Sequence, residues 1–205
     1  MIKKKFLDPN IVNKSKTVEE KIQFFDYDGV KLPLPTEIEI SESGTCNRSC
    51  SFCPRSAADF KDKKEFISNE LHEKLCIELQ KLNYKGTIRY SGFVEPMLDK
   101  NIYNLISMVK NFLPDCNVEM VTNGDPLNLK RLNKVFQSGL NRILISAYDG
   151  KEDADKLEDL CKEAQLSGDQ YIVRHRYYTE EEDFGSTLSN RSGLMENAEF
   201  KIKSL

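Results

Sequence analysis

The chain has 205 residues, with 30 Lys and Arg against 33 Asp and Glu, and a formal net charge of −3. This balance gives no electrostatic case for nucleic-acid binding, and a chain of this length can bury one core. No run of 18 apolar residues predicts a membrane span, and no apolar segment follows the basic start to predict a secretory leader. We therefore expect a soluble, cytoplasmic protein whose thiols stay reduced.

Hydrophobic patterning predicts strands that alternate with helices, preceded by a polar N-terminal arm over residues 1–35. The predicted strands cover residues 36–40, 87–90, 118–121, 142–146 and 171–178. The predicted helices cover residues 69–82, 100–112, 127–137 and 151–164. From residue 179 onward the chain shows no long helical period, and the acidic run 180–183 is interpreted as a solvated loop.

Alternating strands and helices of these lengths form right-handed βαβ units, so the predicted fold class is α/β with a parallel sheet. Five such strands either open into a doubly wound sheet or curl into a partial barrel. In both arrangements ligands bind at the carboxyl ends of the strands. In the first helix we expect Ser68 as the N-cap and one apolar face that contains Leu71, Leu75, Cys76, Leu79 and Leu82.

Three cysteines, Cys46, Cys50 and Cys53, form a C-x3-C-x2-C motif directly after the first predicted strand. Three thiolates at this spacing can ligate three irons of a 4Fe–4S cluster and leave the fourth iron without a protein ligand. A small molecule can bind at such an open iron. The motif therefore predicts an iron–sulfur site at the carboxyl edge of the sheet.

Two other interpretations of these cysteines stay open, a zinc site and unrelated thiols. A structural zinc site has four Cys or His ligands, and the next candidates, His72 and Cys76, come about twenty residues later. A disulfide framework is disfavoured because the chain shows no secretory signal and is long enough to fold without crosslinks. We expect the thiols of Cys76, Cys116 and Cys161 to be buried and inert.

The motif and its position resemble those of the radical S-adenosylmethionine (SAM) superfamily, whose members carry this spacing with an aromatic residue, here Phe52, before the last cysteine. The resemblance implies a partial parallel (β/α) barrel of about five to six strands. It implies that Cys46, Cys50 and Cys53 hold a 4Fe–4S cluster, that SAM chelates its open iron, and that Phe52 packs against the adenine. Reductive cleavage of SAM would then yield a 5′-deoxyadenosyl radical that abstracts hydrogen from a substrate.

The second predicted strand ends in residues 91–96, which resemble the family's Gly-Gly-Glu segment in its GEP form. The resemblance implies that Gly92, Phe93 and Glu95 bind the SAM ammonium through backbone carbonyls and a carboxylate, the acceptors that a cationic amine needs. Val94 departs from the family pattern, which has a glycine there. An exposed loop carboxylate is the alternative interpretation of Glu95.

Further cofactor contacts are predicted at the last strands. The resemblance places Ser146 against the ribose or carboxylate of SAM, with a turn serine as the alternative. Period-two alternation puts Arg174 and Arg176 on one strand face, where either can hold the SAM carboxylate or a substrate anion. Salt bridges to the acidic run are the alternative for both arginines. His175 is interpreted as a core histidine. Residues 122–124 are interpreted as a turn or as a ligand contact. No residue is assigned a catalytic proton transfer.

The resemblance covers residues 36–178 as a core domain and leaves residues 179–205 as a tail. Within the tail, Asn190–Gly193 resembles a stretch that precedes a cysteine-rich C-terminal domain of the SPASM type, yet no cysteine follows Cys161. We therefore expect no auxiliary clusters in this chain and cannot place the sixth strand of the barrel. Two explanations fit, a chain shortened relative to its relatives, which we favour, and a minimal enzyme that another element closes.

Relatives of this type imply an oxidoreductase-like enzyme that acts on a peptide or a sugar-like small molecule. They also imply an electron donor such as flavodoxin or ferredoxin, and neither a nucleic acid nor a membrane as partner. Two other classes of function stay open. One is a non-catalytic iron–sulfur or zinc protein that binds a partner, and the other is an oxidoreductase that uses the thiol pair Cys50 and Cys53.

Overall fold

The structure, a computed structural model, describes residues 22–50 and 52–176. Its strands are β1 (Phe24–Tyr27), β2 (Val30–Pro33), β3 (Glu37–Ile40), β4 (Ser43–Gly44), β5 (Lys63–Phe66), β6 (Thr87–Tyr90), β7 (Asn117–Thr122), β8 (Arg142–Ala147) and β9 (Tyr171–His175). Its helices are α1 (Asn69–Lys81), α2 (Ile102–Phe112), α3 (Leu129–Gln137) and α4 (Lys151–Glu163). No helix of this described part is long and apolar enough to cross a membrane.

The predicted parallel sheet is confirmed. Strands β3, β6, β7, β8 and β9 lie side by side in that order, and each pairs with the next in parallel. Because sheet order follows chain order, every right-handed crossover places its helix on the same side of the sheet. A doubly wound sheet has helices on both sides, so this arrangement is that of a partial (β/α) barrel.

The helix-covered side of the sheet carries the hydrophobic core. Alternate residues of the central strands turn to this side and are almost completely buried, namely Ile88, Tyr90, Val118, Met120, Ile143 and Ile145. Residues of the four helices pack over them, among them Leu105, Ile106, Leu132 and Leu157. Burial of these side chains on both sides of the interface supplies the main stabilisation of the fold.

The opposite side of the same strands carries charged and polar residues together with a few apolar ones, such as the buried Leu144. Arg89 of β6 pairs in register with Glu119 of β7, and Glu119 pairs in register with Arg142 of β8. The guanidinium of Arg89 also donates to Glu37 of β3, with an Nη1–Oε1 distance of 2.7 Å. Period-two alternation therefore separates an apolar, helix-facing side from a charged side.

One predicted feature of α1 is wrong. Its N-cap is Ser68, as expected, whose hydroxyl accepts from the Leu71 N–H at 3.2 Å. Leu71 itself, however, is 58% exposed, whereas His72 is fully buried. The helix turns positions 72, 76 and 79 toward the sheet, where His72 Nε2 lies 2.8 Å from the Tyr90 hydroxyl. This hydrogen bond lets a polar ring occupy a core position.

Two antiparallel ribbons were not predicted. β1 and β2 form a hairpin within the N-terminal arm, joined by Asp28 and Gly29, both at positive φ. β4 and β5 form a second, short ribbon that brackets the cysteines. The strand predicted over residues 171–178 is β9, which ends at His175. Positions 177 and 178 of that prediction lie outside the described residues, and so does the predicted tail.

Candidate functional site

The cysteine loop, residues 45–53, follows β4 and ends at the short 3-10 helix Pro54–Ser56. Its three thiols are all partly exposed and free. The Cys53 N–H donates to the Cys50 carbonyl at 2.9 Å, which folds the second half of the loop into a turn. Burial raises the pKa of the Cys50 thiol, and the neighbouring thiols of Cys53 and Cys46 raise it further. The loop thus presents three free thiols at the carboxyl edge of the sheet.

The donor set fits a 4Fe–4S cluster. Among the described residues, no three Cys, His, Asp or Glu side chains surround a site for a single ion. A cluster binds each ligand sulfur to a different iron, so its ligands stand further apart than those of one ion. Thiolates are the donors that such clusters use. The other three cysteines, Cys76, Cys116 and Cys161, are buried in the core as expected.

Glu95 holds the carboxyl edge of the sheet together. Its carboxylate is buried and accepts from the Met97 N–H at 3.0 Å, the Thr122 hydroxyl at 2.7 Å and the Asn123 N–H at 2.7 Å. Its own N–H donates to the Thr45 carbonyl at 3.0 Å. A carboxylate has about four acceptor positions, so three internal donors leave about one for a ligand. The role of Glu95 as a ligand of SAM stays a prediction. Its burial excludes the alternative interpretation, an exposed loop carboxylate.

Two features of position 92 favour a glycine, namely its backbone conformation and the close approach of Ser41. Its φ is +125°, and a Cβ atom built on it would lie 2.1 Å from the Ser41 Oγ. That hydroxyl donates to the Ser91 carbonyl at 2.9 Å, which fastens the end of β3 to the end of β6. Phe93 follows with 40% of its side chain exposed, and its carbonyl accepts from Arg55 at 3.1 Å. The SAM contacts expected of Gly92 and Phe93 stay predictions.

Ser146 and Arg174 form a buried polar pair on the side of the sheet away from the helices. Ser146 lies inside β8 rather than in the following turn, and its Oγ accepts from Arg174 Nη2 at 2.6 Å. Burial raises the pKa of the Tyr148 phenol, while its hydrogen bond with Ser146 and the positive charges of Arg174 and Arg176 oppose the rise. Arg174 lies in β9, whereas Arg176 follows the end of that strand. The contacts of both arginines with SAM or a substrate anion stay predictions.

Phe52 packs against Tyr148, with ring centroids 5.5 Å apart. Tyr148 was not among the predicted site residues, nor were Arg48, Asn123 and Asp149. Asn123 lies beside the cluster ligands, since its Nδ2 is 3.8 Å from the Cys46 Sγ. The position of these residues in the chain could have identified them as site candidates. Each lies in the cysteine loop or within two residues of a strand's carboxyl end. That edge is where parallel sheets bind ligands.

A family model described as the Radical SAM superfamily matches residues 40–180. The chain belongs to the radical SAM superfamily, a class of enzymes that use a 4Fe–4S cluster and SAM. The predicted cofactors, fold class and enzyme class are thereby confirmed at the level of the family. The more specific SPASM-type resemblance depends on residues 190–193, which lie outside the described part of the chain, and stays a prediction.

Similar proteins include the S-adenosyl-L-methionine-dependent 2-deoxy-scyllo-inosamine dehydrogenase of Niallia circulans, which is 28% identical over 160 residues. That alignment covers 78% of this chain and 60% of the dehydrogenase. The GTP 3′,8-cyclase of Campylobacter lari is 29% identical over 122 residues, which are 57% of this chain and 35% of the cyclase. This chain therefore spans less than two thirds of the dehydrogenase and about a third of the cyclase.

Among solved structures, the fold is similar to a crystal structure of BtrN in complex with AdoMet and 2-DOIA. The TM-score is 0.65 at 25% sequence identity, and the match covers 80% of this chain and 63% of the BtrN chain. An open conformation of BtrN matches with a TM-score of 0.53 at 24% identity, over 68% of this chain and 56% of that chain. The partial barrel is thus the fold of a known radical SAM protein.

Proposed function

We propose that this chain is the catalytic core of a radical SAM enzyme that abstracts a hydrogen atom from a small, polar, sugar-like substrate. The observation that carries the proposal is the three-cysteine loop at the carboxyl edge of the sheet, directly beside a polar sheet face. We assign the core to residues 36–178. Six free thiols favour a reducing compartment, and we expect the cytoplasm.

In this proposal Cys46, Cys50 and Cys53 hold the cluster. When bound, the cluster and SAM would supply one-electron reductive cleavage of the C–S bond of SAM and the abstraction of a hydrogen atom from the substrate. The chain's own residues bind and orient the cosubstrate. Phe52 would pack on the adenine, and the backbone carbonyls at Gly92 and Phe93 would accept from the ammonium, with the Phe93 carbonyl sharing its lone pairs between Arg55 and the ligand.

Glu95 has two roles in the proposal. Its three internal hydrogen bonds hold the loop after β6 against the end of β7 and the start of the cysteine loop. Its remaining acceptor position receives the SAM ammonium, so a charge-assisted bond forms in a poorly hydrated place. Ser146 and Arg174 offer a hydroxyl and a guanidinium for the ribose or carboxylate of SAM, and Arg176 offers a second guanidinium for an anionic group of the substrate or of SAM.

The polar side of the sheet supports a polar substrate. Toward the carboxyl edge this side carries hydroxyl, amide and guanidinium groups, namely Ser41, Asn123, Ser146, Tyr148 and Arg174. The two relatives act, by their names, on 2-deoxy-scyllo-inosamine and on GTP, which are both hydroxyl-bearing ring compounds. A peptide substrate is the second candidate from the sequence, and no feature of the described site favours it over a sugar-like molecule.

Anaerobic reconstitution followed by reduction with dithionite in the presence of SAM tests the proposal. We expect 5′-deoxyadenosine in the wild type and none in Cys50→Ala. Cys161→Ala is the matched control, because it removes a thiol that is buried beneath α4, away from the loop. Added 2-deoxy-scyllo-inosamine should raise the yield if the substrate is of that class. Flavodoxin or ferredoxin should replace dithionite as the donor.

The non-catalytic alternative predicts a different result from the same samples. A protein that binds iron–sulfur or zinc only to dock a partner should take up metal in the wild type, yet release no 5′-deoxyadenosine under any reductant. Tight binding of zinc with no iron uptake would contradict both the proposal and the family assignment of the cysteines.

A further inference from the structure

We propose that Arg48 is a positioning residue that clamps the cysteine loop to the ends of β7 and β8 through Asp125 and Asp149. The three residues are called the Arg48 clamp below. The inference rests on the proposed function only in that Cys46, Cys50 and Cys53 are taken as cluster ligands. Arg48 itself lies between the first two of these cysteines and needs no contact with the cluster to act.

The clamp has a forked geometry on both sides. Arg48 Nε and Nη2 donate to the two carboxylate oxygens of Asp125 at 2.7 and 2.5 Å. Its Nη1 and Nη2 donate to the two oxygens of Asp149 at 2.9 and 2.6 Å. A guanidinium has five N–H donors in a rigid plane, and this arrangement uses them on two carboxylates at once. The orientation of the side chain is therefore fixed in every direction.

The two arms of the clamp differ in strength. The side chain of Arg48 is 19% exposed, that of Asp125 is 33% exposed and that of Asp149 is 62% exposed. Solvent screens the Asp149 arm more strongly, so the Asp125 arm contributes more. Asn47 strengthens the same arm, because its Nδ2 donates to Asp125 Oδ2 at 2.6 Å.

The clamp also connects to the residues on either side of it. Asn123 donates to the Asn47 Oδ1 at 2.8 Å while its Nδ2 lies 3.8 Å from the Cys46 Sγ. The Arg48 guanidinium lies over the Tyr148 ring, 5.4 Å from its centroid, and Phe52 packs against the same ring. Both halves of the cysteine loop are thereby attached to the ends of β7 and β8.

Such an attachment acts before any metal is bound. A loop whose ligands are held near one another loses less conformational entropy when the metal binds, so the bound state is favoured. Sites whose ligands are fixed by surrounding hydrogen bonds keep their geometry better than sites on free loops. We therefore expect the clamp to order the loop in the cluster-free chain and to slow loss of iron from the loaded chain.

Hydrogen exchange of the cluster-free full chain tests the clamp without any activity measurement. In Arg48→Gln we expect the amides of the peptide 45–56 to exchange about threefold faster than in the wild type, a factor that corresponds to about 0.7 kcal/mol. Arg142→Gln is the matched control, because Arg142 lies at the amino end of β8 and pairs with Glu119 instead. Its exchange in this peptide should stay at the wild-type level.

Arg48→Lys separates geometry from charge. A lysine keeps the positive charge but cannot make two forked pairs, so we expect exchange as fast as in Arg48→Gln. Asp125→Asn should raise the exchange rate of this peptide more than Asp149→Asn does. Both substitutions keep a side chain of the same size, so they test the clamp even if an Arg48 variant fails to fold. Wild-type protection in Arg48→Gln or in Arg48→Lys would overturn the clamp.

A second readout uses the reconstituted chain. Both Arg48 variants should lose iron to a chelator faster than the wild type and Arg142→Gln, and the electron paramagnetic resonance spectrum of their reduced cluster should broaden. Equal rates of iron loss would contradict the clamp. Failure of the proposed function would give a different result, because the wild type itself would then hold no cluster. The hydrogen-exchange comparison uses the cluster-free chain and would still test the clamp.

Discussion

Two arginines of this fold each bridge two carboxylates, and they differ in burial. Arg89 joins Glu37 and Glu119 across the middle of the sheet, with side chains that are 5%, 19% and 7% exposed. Arg48 joins Asp125 and Asp149 at the carboxyl edge, where the carboxylates are 33% and 62% exposed. Buried and exposed ion pairs have very different energetics even at the same distances.

Because of this difference in burial, the Arg89 bridge stabilises the fold, whereas the Arg48 clamp orders the site. Removing Arg89 would take the guanidinium away from Glu119, whose side chain is 7% exposed, and from Glu37, whose side chain is 19% exposed. Loss of one partner from a buried ion pair is strongly destabilising, so we expect the fold to depend on the Arg89 bridge. Removing Arg48 leaves two carboxylates that water can solvate, so the energy lost is small and local. A site at the edge can thus be ordered by hydrogen bonds that the global stability of the chain does not depend on.

Arg89→Met should give the largest loss of stability. It removes the guanidinium that bridges Glu119 and Glu37 and leaves the buried Glu119 with its longer contact to Arg142, at 3.6 Å. We expect the free energy of unfolding of the cluster-free chain to fall by about 3–5 kcal/mol. Urea denaturation measures this value. In the background of Glu119→Leu the same substitution should cost much less, because the most buried charge is already gone. An equal cost in both backgrounds would contradict the account of the Arg89 bridge.

Buried titratable groups should give opposing pH dependences. Burial lowers the pKa of His72 to about 4 from 6.5, so the unfolded chain binds more protons and stability is lost as pH falls from about 6.5 to about 4. Burial raises the pKa of Glu42 to about 7 from 4.5, so stability is lost as pH rises from about 4.5 to about 7. Each effect is up to about 3 kcal/mol.

Two variants separate these contributions. Glu42→Gln should lose stability on the acid side only, whereas His72→Gln should lose it as pH rises toward 7. Unfolding by urea between pH 4 and 7.5 measures both slopes on the cluster-free chain, and the wild type should be flatter than either variant. Slopes of the same sign in both variants would show that one of the two groups is not buried as described.

Gly92→Ala should destabilise the chain by about 1–3 kcal/mol, because φ at this position is positive and the new Cβ would meet the Ser41 hydroxyl. Gly168→Ala is the control, since nothing lies within 4 Å of a Cβ there. Adding Ser41→Ala to Gly92→Ala should recover only part of the loss, because it removes the clash and leaves the backbone strain. Thermal unfolding of the four proteins distinguishes these results.

Arg48→Gln should have the smallest effect on global stability, below about 1 kcal/mol. Urea denaturation of the same sample used for hydrogen exchange measures this value. A loss as large as that of Arg89→Met would mean that the Arg48 clamp supports the whole fold, and the contrast between the two arginines would then be lost.

The regular elements of the core could be predicted from the sequence. Strand β6 was predicted with its observed ends, and the helices within about two residues, because burial on one side imposes strong periods. The position of His72 was missed because its ring is polar, although its place in the helical period is that of a core residue. The β1–β2 hairpin carried a signal in Asp28 and Gly29, but its strands are largely exposed and lack an apolar period.

The site was only partly predictable. The cysteines follow a local spacing, so sequence alone indicated their chemistry. The partners of Arg48 lie 77 and 101 positions away in the chain, and no local pattern joins them. Glu95 was identified by its motif, but its three internal donors come from a neighbouring strand end and from its own loop. Contacts of this kind follow from the order of strands in the sheet rather than from sequence spacing.

The measurement that tests the central claim most directly is the electron paramagnetic resonance spectrum of the reduced, reconstituted chain with and without SAM. An open iron held by Cys46, Cys50 and Cys53 should give a 4Fe–4S signal that changes when SAM is added, and Cys50→Ala should give none. A cluster signal that SAM leaves unchanged would contradict the open coordination position on which the proposed function depends.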